Sequence, residues 1–362
     1  MPSIASHFSG SYAEARRKFL DAAEDRGARI QSIELPGHRG ALGETLAMDA
    51  ARLGAADASR LIIVSAGTHG PEGFCGSGCQ VALLRDDDLL RRLDEARLGL
   101  LLIHAINPHG FSHLRRVNED NIDLNRNHVD FERPLPVNAD YAAVDSLALP
   151  DHWPPTAEQA AALADYIAEH GMAAYRAALS RGQYTVPDGL FYGGTAPSWS
   201  NRTMRALLRE HAATATHLAW IDVHTGLGPW GHGEKIFPGR AAGLPLARSL
   251  WGADVLAMFE AGSASPDVSG PVVSAAYDEC PQALFAPMGL EFGTLPDQQV
   301  LDRLRADCWL HRHPEADDLQ RRAIRRDVRD AFYCDDDAWK GMVLGQARVV
   351  MLQTILGLAR AA

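Results

Sequence analysis

Short unbroken apolar runs recur along this 362-residue chain, and each ends in a polar cluster. Leu61 to Val64 joins leucine to β-branched residues, the pattern of a strand buried on both faces. LGLLLIHAIN (residues 98 to 107), HLAWIDVHTG (217 to 226) and LFAPMGLEFGT (284 to 294) read the same way. Helical spacing lies between them. Residues 11 to 26 bring Tyr12, Ala15, Phe19 and Ala22 near one face. A helix over 73 to 84 continues into the charged, solvated RDDDLLRRLDEA, and another starts at Thr156 with Gln159 three residues on and a break at Gly171. Strand, helix, strand in this rhythm implies parallel pairing with right-handed crossovers, hence an α/β fold.

The remaining segments fill in this frame. RIQSIEL and GETLAMDAARLG read as two strands joined by a PGHRG turn, GEKIFPG as a short strand and GLPLARSLWG as a helix. Residues 132 to 155, rich in Pro and Asp, read as an excursion over the surface. Residues 181 to 201, dense in Gly, Pro and aromatics, read either as a rim loop closing over a site, the favoured reading, or as a long packed connection. Three helices start near Pro296, Glu315 and Asp336, the last apolar but with charges that argue against a membrane span. With no repeat, low-complexity tract or linker, residues 1 to 362 read as a single domain.

Composition narrows the function. Apolar content of 46% and charged content of 22% fit a water-soluble globular chain, and a net charge of -11 argues against nucleic acid or an anionic membrane surface as partner. The N-terminus lacks the pattern of a secretory signal, and no window approaches the apolar run a membrane span needs. Five cysteines form no disulfide-type framework, so a cytoplasmic setting with reduced thiols is expected, Cys75 and Cys79 being small buried residues.

The chemistry sits where the apolar runs end. His69 and Glu72 follow the first run, His224 ends the third, and Glu291 interrupts the fourth. An H-x-x-E pair alone is common on surfaces. With a third ligand from far along the chain, however, two imidazoles and a carboxylate make a three-ligand zinc site with a fourth position open to water. Asp222 either points away or orients the His224 imidazole. Glu291 is the candidate general base, or else a structural partner for an arginine, because a carboxylate among apolar residues is costly to bury without a role. Arg115, Arg116 and Arg126, interspersed with Asn118, Asn121, Asn125 and Asn127, offer rigid forks for a carboxylate or a carbonyl.

Taken together, His69-Gly-Pro-Glu72, Asn107-Pro-His-Gly-Phe111, Arg116-Val-Asn118, Asp123-Leu-Asn-Arg126-Asn127, His224 and Glu291 resemble the zinc metallocarboxypeptidases of the M14 type and, within them, the DUF2817 family. The resemblance implies a three-layer α/β/α sandwich on a mixed, mostly parallel sheet of about eight strands. It implies zinc held by His69, Glu72 and His224, Glu291 as general base, and Arg116 polarising the scissile carbonyl. It also implies Asn125 and Arg126 gripping a terminal carboxylate; Arg115, from the same loop, is a further substrate-binding candidate. Tyr277 precedes Glu291 at a spacing compatible with the tyrosine that covers substrate in carboxypeptidases. The sequence after the first ligands and the Thr225-Gly-Leu-Gly stretch depart from the family's usual pattern.

Three functions fit these residues. The first is a zinc hydrolase cutting an amide beside a free carboxylate in a small peptide. The second is an N-acyl amino acid deacylase of the aspartoacylase and succinylglutamate desuccinylase type, towards which Asp222-Val-His224-Thr225 and Glu291-Phe-Gly293 lean. The third is a ligand-binding protein that keeps the fold without turnover; loss of a ligand or of the base would favour it, and all are present.

Overall fold

In the computed structural model, residues 3–55, 57–260 and 268–360 are described. Among them eight strands form one mixed sheet: β1 (Arg29–Arg39), β2 (Thr45–Gly54), β3 (Arg60–Ala66), β4 (Gly99–His104), β5 (His217–Trp230), β6 (Gly233–Phe237), β7 (Leu256–Ala257) and β8 (Leu284–Gly293). The order is β1-β2-β4-β3-β5-β8-β6-β7. β4, β3, β5 and β8 run parallel to their neighbours, while β2 on one side and β6 on the other join antiparallel. The two strands read as most apolar, β3 and β4, lie next to each other inside the sheet, covered on both faces.

Thirteen α-helices are described: α1 (Tyr12–Asp25), α2 (Gly73–Leu84), α3 (Asp87–Glu95), α4 (Pro108–His113), α5 (Tyr141–Ala148), α6 (Ala157–His170), α7 (Met172–Ser180), α8 (Trp199–His211), α9 (Leu244–Trp251), α10 (Ala275–Glu279), α11 (Asp297–Arg312), α12 (Asp318–Phe332) and α13 (Asp337–Arg360). Alternation along the strands divides the core in two. Ile62, Val64, Leu100 and Ile221 pack with α1, α2, α9 and α13. Leu61, Ile63, Leu101 and Trp220 pack with α8 and α10 on the other face. A third cluster joins α5, α6 and α7 to α11 and α12.

This topology places the site. From β3 the chain passes through α2 and α3 to β4 on one side, then returns to β5 on the other side of β3. The carboxyl ends of β3 and β5 therefore diverge at a switch point, where open α/β sheets leave a crevice.

Several boundaries differ from the reading of the sequence. Pro36 and Gly37 lie within β1, not in a turn; β1 is an edge strand, and its register shifts between Glu34 and Arg39, which accommodates a residue without an N–H. α3 is separate from α2, because the Asp86 side chain accepts from the Leu89 N–H and caps a new helix. Within 132 to 155, α5 forms by burying Tyr141, Val144 and Ala148 along one face. The break at Gly171 and the Thr156–Gln159 capping box are present.

α13 corrects the expectation that no window approaches a membrane span: at 24 residues it is long and apolar enough by length and composition. Its packing accounts for part of that apolarity, Met342, Val349 and Leu356 being exposed. Trp339, Val343, Val350, Met351, Ile355 and Leu358 are buried in the core shared with α2 and α9.

Candidate metal centre and its surroundings

β3 ends at Ala66, Gly67 turns in the left-handed region (φ 67°), and Gly70–Glu72 form a single 3-10 turn that feeds α2. Gly70 is required by close approach: a Cβ there would lie 2.0 Å from the Gly110 carbonyl carbon. This contact lets α4, capped by Asn107 through its bond from the Gly110 N–H at 2.7 Å, brace the turn that carries His69 and Glu72.

His224 arrives from β5, two residues after Asp222 and hence on the same face. It is the register partner of Glu291 on β8, so the two side chains stand beside each other across parallel strands. Three buried groups then converge. His69 Nδ1 lies 2.8 Å from Glu72 Oε1, and His224 Nδ1 lies 2.7 Å from Glu72 Oε2. His69, Glu72 and His224 each offer one ligand atom, all within 4.8 Å of one another, a set able to hold a metal ion.

The far nitrogens of both imidazoles face carboxylates. His224 Nε2 is 2.6 Å from Asp222 Oδ2, and His69 Nε2 is 3.3 Å from Asp123 Oδ1. Asp222 is in turn fixed by Ser65 Oγ, which donates at 2.6 Å, and by Thr68 Oγ1 at 3.0 Å. Of the two readings open for Asp222, the geometry selects orientation of His224. Carboxylates in these positions set the tautomer so that Nδ1 is left for a ligand.

The charges respond to this crowding. Burial alone would raise the Glu72 carboxyl, but the imidazoles of His69 and His224 hold it below the usual carboxylate range. Burial would lower His224, yet Asp222 and Glu72 lift it well above the ordinary imidazole value. Burial would raise Asp123, and Arg116, Arg126 and His69 outweigh it and hold it well below. For Glu291, burial and then the Glu72 charge outweigh the opposing pull of His224 and His69 and push it up to about 7. One of its oxygens accepts from the Leu227 N–H at 3.0 Å.

A cavity of about 420 Å³ opens over these groups, and Arg116, Asn125, Arg126 and Glu291 line it together with the three potential ligands. Arg116 donates from Nε to Asp123 Oδ2 at 3.0 Å and brings Nη1 to 3.5 Å from Glu72. Asn125 Oδ1 accepts from the Val272 N–H. Arg126 is buried, bonding Ser180 O through Nε and Nη2 and Asn125 O through Nη1, so three of its five N–H groups are engaged by described residues.

Two expected site residues stand elsewhere. Arg115 does not line the cavity: it donates to Asp307 at 3.2 Å and to Asn121 at 2.8 Å, and is buried. Of the adjacent pair, Arg116 lines the cavity while Asp307 and Asn121 hold Arg115 away from it. Tyr277 lies outside the cavity, its hydroxyl accepting from the Arg240 N–H and its ring beneath the Arg240 guanidinium at 4.2 Å. Sequence reasoning missed Asp123 as the partner of His69 and Phe191 as a cavity wall; the Asp-Leu-Asn-Arg run and the aromatic 181–201 segment carried the signals.

No curated protein matches the chain. Among solved structures it is similar to carboxypeptidase A from Helicoverpa armigera, at 15% identity over 89% of this chain and 73% of that one, with a TM-score of 0.43. It is similar at 11% identity to a metallo-carboxypeptidase from Burkholderia cenocepacia, over 94% and 68% of the two chains, with a TM-score of 0.43. It is also similar to bovine thrombin-activatable fibrinolysis inhibitor, at 10% identity over 96% of each chain, with a TM-score of 0.49. The profile of the DUF2817 family, described as a protein of unknown function, matches residues 8–346, and the chain belongs to that family.

Proposed function

We propose that the protein is a zinc-dependent hydrolase cleaving an amide bond next to a free carboxylate in a small peptide or peptide-like molecule. The observation that carries this reading is the arrangement of two imidazoles, each turning Nδ1 towards Glu72 and Nε2 towards an aspartate. Two imidazoles, deprotonated on metal binding, and one carboxylate suit zinc and leave a coordination position free. A zinc ion held there would make a water nucleophilic near neutral pH.

The protein groups divide the remaining work. Glu291, beside His224 in register, accepts the water's proton and returns it to the departing amine. Arg116 donates to the carbonyl oxygen as negative charge builds on it. Arg126, with its two remaining N–H groups, and Asn125 hold the substrate's carboxylate. Both acid and base steps use one proton, so the enzyme ends as it began. The five free thiols support a cytoplasmic setting, and one catalytic domain spanning the chain is the organisation proposed.

Product analysis against a mixed library of peptides and N-acyl amino acids tests this reading. Release of C-terminal residues supports the peptidase, and release of acyl groups from single amino acids supports the deacylase. No hydrolysis of either set by the zinc-loaded protein contradicts both.

A further inference from the structure

Phe191 lies on the 181–201 segment, with its backbone in the left-handed region at φ 52°. A bulky residue adopts that conformation only where the surroundings impose it. Here they do. The Phe191 carbonyl accepts from the Gln183 N–H at 3.2 Å, and the Gln183 amide donates to the carbonyls of Val186 and Leu190. The next carbonyl, that of Tyr192, accepts at 2.8 Å from the N–H of Asp123, the residue that faces His69. The strained residue is therefore fastened, through its neighbour Tyr192, to the loop that carries the ligand partner and both cavity arginines.

Its ring meets those arginines. The Arg116 guanidinium carbon is 5.4 Å from the ring centroid and that of Arg126 is 5.5 Å, and Phe191 itself lines the cavity. The two cations share Asp123, at 3.0 Å and 4.0 Å, and Arg116 also brings Nη1 to 3.5 Å from Glu72. Glu72 is itself engaged by both imidazoles, and the two guanidiniums repel each other across Asp123. A second attractive surface that carries no formal charge holds both forks without neutralising the one that must meet a substrate's carboxylate.

Resting on the reading above, we infer that Phe191 is a positioning residue that holds Arg116 and Arg126 in place through its ring face, coupling carbonyl polarisation to carboxylate capture. The ring electrons do this, not the ring's bulk. Fluorination keeps the shape and drains the negative face.

The test is the zinc-loaded full chain with 4-fluorophenylalanine or 3,4,5-trifluorophenylalanine at position 191, alongside Phe191→Leu and Phe191→Tyr. For a substrate with a free carboxylate, kcat/KM falls about tenfold with the trifluorinated ring and by less with the monofluorinated one. The fall divides between a lower kcat and a higher KM. Phe191→Tyr retains wild-type values, and Phe191→Leu resembles the trifluorinated protein. For a carboxyl-blocked analogue kcat still falls, but KM does not change. Wild-type kinetics for the trifluorinated protein would overturn the inference, as would an equal KM change for blocked and free substrates. If instead the unmodified zinc-loaded protein cleaves nothing, the hydrolase reading is what fails.

Discussion

His224 and Glu291 are register partners on β5 and β8, two parallel strands that meet along ten or so residues of ladder. A potential metal ligand and a carboxylate raised to about 7 are thereby locked at one spacing by backbone hydrogen bonds, not by a loop. Glu291→Gln keeps the shape and removes the base. Turnover should fall by about 10²- to 10⁴-fold while zinc stays bound, measured by steady-state assay and metal content of the same sample. Unaltered turnover would place the base elsewhere.

Asp123 and Asp222 each face the outer nitrogen of one imidazole. Asp123→Asn and Asp222→Asn should each weaken zinc binding by about 10- to 100-fold in competition with a chelator. Asp222 is also the acceptor for Ser65 and Thr68, so its replacement should cost stability as well, read as a lower Tm. Wild-type zinc affinity in both variants would remove them from the centre.

Arg115 and Arg126 separate structure from binding. Arg115 is buried against Asp307, which Arg325 also contacts. Because Arg325 still pairs with Asp307 while Asn121 loses its donor, Arg115→Ala should destabilise the fold by about 1–3 kcal/mol in denaturant unfolding. Arg126→Ala should raise KM for substrates with a free carboxylate and leave carboxyl-blocked analogues unchanged. An equal effect on both substrates would refute the gripping role.

The pH profile follows from Glu291. A base must be ionised to accept a proton, and burial with Glu72 nearby raises the pH at which this carboxyl ionises, to about 7. A cation on the adjacent ligands favours the ionised form and lowers that value. Activity should therefore rise with pH along an acid limb whose midpoint lies at or below about 7, measured as kcat/KM. A rate that increases towards pH 5 would contradict Glu291 as the base.

The central strands and the residues at their ends were legible because their signals are local. Leu61 to Val64 and Leu100 to Ile103 are apolar on every position, as a doubly covered strand requires, and His69, Glu72, His224 and Glu291 terminate or interrupt such runs. Direction was not legible. Nothing in Arg115-Arg116 says which guanidinium faces the cavity; that depends on Asp307, far along the chain. Tyr277 was sought by spacing alone, and its actual partner, Arg240, lies on a different segment. α5 was hidden because its three buried positions are set among Pro and Asp, where burial against α7 overrides a weak local pattern. α13 tells the same story from the other side: Trp339, Val343, Val350, Met351, Ile355 and Leu358 answer to a core that only the folded sheet supplies.

The most direct measurement of the central claim is zinc content per chain after loading and exhaustive dialysis, for the wild-type protein and for His224→Ala. The wild type should retain a single zinc ion and the variant, folded by circular dichroism, should retain none. A wild-type chain that holds no zinc, or a His224→Ala chain that holds it as tightly, would contradict the account.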